Sequence, residues 1–174
     1  MLRFILALLI CLIFPTLSVA KTHHPSKTHV YAPLTIYDYI QVSCRGPGCV
    51  DSDELKQIIA DVSNDTHVNP LDLLTLVAIE SSFNTHARNT VNVGLMQVNL
   101  AFHKAELNAA DKFNARRNIE VGAAIYAACL DKRHGIRNDA LRCYNGNGDH
   151  HYVNRFTKAR AQLVLLADLP SSIQ

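Results

Sequence analysis

An asparagine, a proline and a run of apolar residues ending in a glutamate constrain this chain more than any other stretch. Between Leu71 and Glu80, eight of the ten residues are apolar or Thr. Leu71, Leu74, Val77 and Ala78 fall at helical spacing, while Leu73, Leu76 and Ile79 fill much of the opposite side. A helix that is apolar nearly all round belongs inside a core. Asn69 supplies an N-cap and Pro70 a residue of fixed φ at the first helical position, so the helix is predicted to begin there. Glu80 then lies near the carboxyl end, where desolvation and the negative end of the helix dipole both disfavour its charge. Both effects raise its pKa, and a carboxyl group kept protonated near neutral pH can donate a proton to a leaving oxygen. The plainer reading of Glu80 is a cap at the helix surface or an ion-pair partner for Arg88.

What separates the two readings is the company Glu80 keeps. Glu80-Ser81, then Phe83-Asn84, a polar loop, and Gly94-Leu95-Met96-Gln97 resemble the signature of the lytic transglycosylases of bacterial cell walls. Asn118-Ile119 with Gly122 and Tyr126 resembles that family's Asn-Ile, Gly, Tyr helix. Tyr144-Asn145 followed by Gly146 resembles its Tyr-Asn-x-Gly motif, with the glycine one place early. The resemblance runs from Leu71 to Phe156, about half the chain, and three motifs in order around one acid make it fairly specific. It implies a mainly α, single lysozyme-like helical domain of the goose type with a substrate groove.

The 174 residues, 48% hydrophobic and 18% charged, suit one globular domain with a real core. The opening MLRFILALLICLIFPTLSVA carries one Arg, an apolar run from Phe4 to Phe14, Pro15, and small residues at Ser18 and Ala20. It is expected to be a secretory signal over residues 1–20, cut after Ala20; the apolar run is too short for an uncleaved anchor. Cys11 lies inside that run, follows Ile10 where a lipoprotein would want a small residue, and is expected to leave with the signal. An extended amino-terminal arm is expected over residues 21–50 and the transglycosylase domain over 51–174. The expected location is exported and periplasmic.

Loss of the signal leaves four cysteines, an even number that suits two disulfides in an oxidising compartment. Of the three possible pairings, the local ones are favoured. Cys44 and Cys49 flank the turn-rich Arg45-Gly46-Pro47-Gly48, and Cys129 and Cys143 sit on or beside successive helices. The alternative is four buried free thiols. With Arg3 gone, the 17 basic residues fall to 16 against 15 acids, a balance without the basic stripe of a nucleic-acid binder. The nine histidines include the adjacent pairs His23-His24 and His150-His151 but no His-Glu-x-x-His, so no metal and no cofactor are expected.

Along the rest of the chain, Tyr31, Tyr37 and Tyr39 form either a docking strip or a loosely packed arm. Asp51 and Glu54 open a helix whose Leu55, Ile58, Ile59 and Val62 define one core face. Asn89 and its neighbours belong to a polar loop beside Glu80, and Gly94 permits close approach or an unusual φ. Asn99 caps a short helix through Phe102 to Leu107. Asn118 is expected to cap the next helix, in which Gly122 marks a close contact with another helix. A shorter helix over residues 138–143 delivers Tyr144, and a last one runs from Tyr152 to Leu166.

Glycoside hydrolases usually need two carboxylates about 5–9 Å apart. From Ser81 to Ala105 there is no Asp or Glu, so a second acid would have to come from elsewhere, for instance Asp149. The resemblance implies a route needing one acid. Glu80 protonates the oxygen between N-acetylmuramic acid and N-acetylglucosamine, and the muramyl C6 hydroxyl closes on C1. Carried over with it are substrate-binding roles for Gln97, Met96, Tyr144, Asn145, Ser81 and Asn89. Tyr144 is expected to hydrogen-bond near Glu80, and Ser81 fits orientation of the helix end better than sugar contact. Asn89 stands where many members of the family have Ser. The expected partners are peptidoglycan strands and an envelope secretion, conjugation or pilus machine, with the protein a monomer. The rival readings are a true hydrolase of the same bond and a non-enzymatic wall-binding assembly protein.

Overall fold

Helix α1 (Ser52–Thr66) begins at Asp51, whose side chain accepts from the Asp53 and Glu54 amides, and buries Leu55, Ile58, Ile59 and Val62. His67, in the left-handed region at φ 58°, ends it. Helix α2 (Pro70–Ser81) follows at once, with the Asn69 side chain accepting from the Leu71 and Asp72 amides. Leu73, Leu74, Leu76 and Val77 are buried, as an apolar helix requires. The computed structural model describes Ile40, Ser43, Cys44 and residues 46–167. The expected signal, Cys11, Tyr31, Tyr37 and Tyr39 lie outside the described residues.

After α2 the chain turns sharply through Ser82 and Phe83, both at positive φ (50° and 65°), and Phe83 drops into the core. A two-stranded antiparallel ribbon follows, β1 (Asn92–Val93) with β2 (Val98–Asn99), pairing Asn92 with Asn99 and Val93 with Val98. Then come the short α3 (Leu100–His103), α4 (Ala115–Lys132), α5 (Arg137–Tyr144) and α6 (Tyr152–Ala167). Helix α4 packs on α1 and α5, and α2 packs on α6, so Leu73, Leu76, Ile119, Tyr126 and Phe156 share one core. The described residues are mainly helical, in agreement with the expected class. Asn99 caps α3, which is shorter than expected, ending at His103 rather than Leu107.

Two cross-links fix the geometry. Cys129 and Cys143 are joined, tying α4 to α5, and Cys44 and Cys49 close the loop before α1. That loop props the turn after α2: the Thr85 amide and hydroxyl both donate to the Gly48 carbonyl, at 2.7 and 2.9 Å.

A polar hub sits near the opposite end of α2 from Glu80. Asp72, its side chain 5% exposed, accepts from Arg137 Nε of α5 and Arg160 Nε of α6, each at 2.7 Å. Removing the acid strands two cations, although Arg137 is half exposed and water tempers the loss. Asp72→Ala is expected to lower the unfolding free energy by about 3 kcal/mol, the low end for breaking a buried pair. Denaturant unfolding checks it, and a change within the error of the fit would contradict the hub's role.

Candidate active site

Glu80 occupies the penultimate position of α2, half-buried at the foot of a cleft of about 320 Å³. Tyr152, the first residue of α6, has a fully buried ring and donates its hydroxyl to Glu80 Oε1 at 2.5 Å. Burial pushes the Glu80 carboxyl above its ordinary value. The Tyr152 hydrogen bond and the positive charge of Arg155 pull against it without reversing the direction. The carboxyl end of α2 acts in the same sense as burial. The acid is thus biased toward the protonated form, and its hydrogen-bond partner is Tyr152 rather than Arg88.

The cleft's floor is the ribbon, and one buried side chain builds it. Asn118, 0% exposed, accepts from the Met96 amide at 2.8 Å and donates to the Val93 and Lys112 carbonyls at 3.0 and 3.1 Å. Asn118 therefore does not cap α4; Asn114 does, accepting from the Arg117 amide. Gly94 lies at φ 76°, and a Cβ there would stand 2.1 Å from Asn118 Nδ2. Gly122 is required by a different neighbour than expected. Its Cβ would meet the Met96 side chain at 2.6 Å, so the close contact is with the ribbon's turn, not with a helix.

The expected site residues divide accordingly. Gln97, Tyr144 and Asn145 line the cleft with Glu80. Gln97 Nε2 donates to the Ala87 and Gly94 carbonyls, at 3.1 and 2.9 Å. Tyr144 donates to the Met96 carbonyl at 2.8 Å, not to Glu80, and stands edge-on to Tyr126 with ring centroids 5.9 Å apart. Burial and the charge of Glu80 both push the Tyr144 phenol upward, so it stays neutral. Asn145 Nδ2 donates to the Asp149 carbonyl at 3.3 Å. Met96 is fully buried and does not line the cleft, because the cavity opposite Gly122 takes its side chain. Ser81 is buried and bonds back to the Val77 carbonyl at 3.0 Å. Asn89 is exposed and caps its own turn, accepting from the Val91 and Asn92 amides. Asn92, the first residue of β1, reaches the cleft in its place, joined by Asn99, Phe102 and His103. Asp149 lies outside it, held by Arg155 Nη1 and the His151 amide.

A model of the transglycosylase SLT domain matches residues 57–163, more than half of the chain. The chain belongs to the SLT transglycosylase family. Neither the curated proteins nor the solved structures give a significant match. The family fixes the general activity as lytic transglycosylase cleavage of peptidoglycan, carried out outside the cytoplasm. No described helix of the transglycosylase is long and apolar enough to cross a membrane.

Tyr152 is the residue that the motifs did not reveal. Its only trace in the sequence is a tyrosine opening an amphipathic helix, which core packing explains equally well. Because its hydroxyl favours the charged form of Glu80, Tyr152→Phe is expected to raise the Glu80 pKa further while the buried ring keeps its place. If the protonated acid is the working form, activity falls as pH rises through that pKa. The falling limb of a pH–rate profile therefore moves to higher pH in the variant; a move to lower pH would contradict the assignment.

Proposed function

We propose that Glu80 is the single general acid and general base of this transglycosylase, acting on the β-1,4 bond between N-acetylmuramic acid and N-acetylglucosamine. The observation that carries the reading is that Glu80 is, among the described residues, the sole carboxylate lining the cleft, withdrawn from water and biased toward its protonated form. Its proton passes to the glycosidic oxygen as the bond to C1 breaks. The resulting carboxylate takes the proton of the muramyl C6 hydroxyl, whose oxygen closes on C1 to give the 1,6-anhydro sugar. Water is not consumed. An inverting or retaining hydrolase would need a second carboxylate across the scissile bond. The candidate considered for that part, Asp149, is engaged with Arg155 outside the cleft.

Other residues of the cleft receive supporting roles. With its amide nitrogen committed to the backbone, Gln97 offers its oxygen to a sugar hydroxyl or acetamido N–H. Asn92 and Asn99 face the strand from the ribbon. Phe102, 80% exposed at the rim, presents an apolar face on which a sugar ring can lie. Met96, Ser81 and Asn89 act through position: Met96 by anchoring Tyr144, Ser81 at the end of α2, Asn89 by shaping the loop before Asn92.

The reading extends to domain limits and location. Residues 1–20 are assigned to a signal, 21–50 to an arm and 51–174 to the catalytic domain, with the periplasm as the site of action. Local wall opening for a secretion, conjugation or pilus machine is the setting in which a small exported enzyme of this family fits best.

Digestion of purified peptidoglycan, read by mass spectrometry, tests the chemistry. Wild type is expected to release muropeptides one water lighter than reducing-end products. Glu80→Gln is expected to keep its fold and lose roughly 100- to 10,000-fold in rate, the usual weight of a positioned proton donor. Reducing-end products, or comparable turnover by both proteins, would overturn the mechanism.

A further inference from the structure

Glu80 sits near a cation that takes no part in the proposed chemistry. Tyr152, which bonds Glu80 from the start of α6, is followed one turn later by Arg155, and residues three apart share a helix face. The Arg155 guanidinium lies over the Tyr152 ring, with Cζ 5.5 Å from the ring centroid. A cation so placed works against a proton donor, because it favours the charged carboxylate. Arg155 does pull the Glu80 carboxyl downward, against the larger effect of burial.

One residue answers that cation. Asp149 Oδ2 accepts from Arg155 Nη1 at 2.5 Å, with the two side chains 30% and 53% exposed. Ion pairs as open as this add little to stability. Yet both carboxylate oxygens of Asp149 and its backbone carbonyl are engaged. Oδ1 accepts from the His151 amide at 2.7 Å. The carbonyl accepts from the Tyr152 amide at 3.2 Å and from Asn145 Nδ2, a side chain of the cleft itself, at 3.3 Å. The turn between α5 and α6 is thus pinned where its carboxylate meets the guanidinium.

The other groups around Glu80 leave this pair as the source of charge. From α5 comes Tyr144, which stays neutral, and from α3 comes His103, which lines the cleft 4.0 Å from Glu106. The ribbon contributes the side-chain amides of Asn92, Gln97 and Asn99. Helix α1, which also packs on α2, buries Leu55, Ile58, Ile59 and Val62. His86 and Arg88, in the loop after α2, are exposed and do not line the cleft. Arg142 and His150 stand by Asp149 in a separate hollow, and Arg142 is bonded to Asp139 at 2.7 Å.

Resting on the reading of Glu80 as the proton donor, we infer that Asp149 is a positioning residue of the reaction. It holds the Arg155 guanidinium on the Tyr152 ring and balances its charge, so that Glu80 keeps its proton until a glycosidic oxygen takes it. Asp149 lies outside the cleft and acts through Arg155.

Three variants test this: Asp149→Asn, Arg155→Gln and the two combined. Asn keeps an oxygen for the His151 amide and removes only the charge, and thermal unfolding checks that each variant keeps its fold. The Glu80 carboxyl is titrated by 13C NMR in all four proteins, a measurement that needs no cleavage. Asp149→Asn leaves Arg155 unbalanced and is expected to lower the Glu80 midpoint, whereas Arg155→Gln is expected to raise it. Added to Arg155→Gln, Asp149→Asn is expected to have little further effect. An equal effect of Asp149→Asn in both backgrounds would mark a charge acting directly on Glu80 and would overturn the inference. So would an unchanged midpoint in Asp149→Asn alone.

Peptidoglycan digestion gives the second readout. The falling limb of the pH–rate profile is expected to follow the midpoints, and on that limb Asp149→Asn is expected to cleave roughly threefold more slowly than wild type, as suits a partly exposed charge. Midpoints that move while the limb stays in place would overturn Glu80 as the donor and leave the link from Asp149 through Arg155 standing.

Discussion

A carboxyl group withdrawn from water, at a helix end whose dipole opposes its charge, is the constraint on which this structure turns. Left alone, such a group would be a defect. Here it is held by one hydroxyl, that of Tyr152, and looks onto an open cleft. The surroundings must be stiff enough to keep that carboxyl from swinging out to solvent. The apolar body of α2 supplies the stiffness, with Asp72 clamped to α5 and α6 near one end and Glu80 near the other.

The floor of the cleft is fixed by hydrogen bonds rather than by apolar area. Asn118 secures three backbone groups of the ribbon and its flank, Gly94 and Gly122 leave room for the contacts, and Tyr144 closes the set on the Met96 carbonyl. The Cys129–Cys143 link then holds Tyr144's helix against α4. Residues that a motif presents as substrate contacts thus serve in two ways. Some face the cleft, and others shape the backbone that faces it. Met96 belongs to the second kind, which is why a fully buried methionine sits inside a motif that surrounds a site.

Much of this was legible in the chain. Asn69-Pro70 announces α2, the spacing of Leu55, Ile58, Ile59 and Val62 announces α1, and both local cysteine pairs occur as expected. These signals are local, and local periodicity and capping chemistry report them faithfully. What stayed hidden depends on contacts distant in sequence. Tyr152 lies 72 positions from Glu80, and Asn118 lies 22 from Met96. An asparagine before an apolar helical run looks like a cap whether it caps or reaches inward, and a tyrosine at a helix start looks like packing. Phe102 escaped for a related reason: no pattern tells an exposed aromatic from a buried one.

The account rests on Glu80 holding its proton at a pH where an ordinary glutamate has lost it. The most direct measurement is a 13C NMR titration of the Glu80 side-chain carboxyl in the folded protein, assigned by comparison with Glu80→Gln. The account predicts a midpoint above the ordinary value of 4.5. A midpoint at or below that value would mean that burial does not govern this group, and would contradict its role as the proton donor.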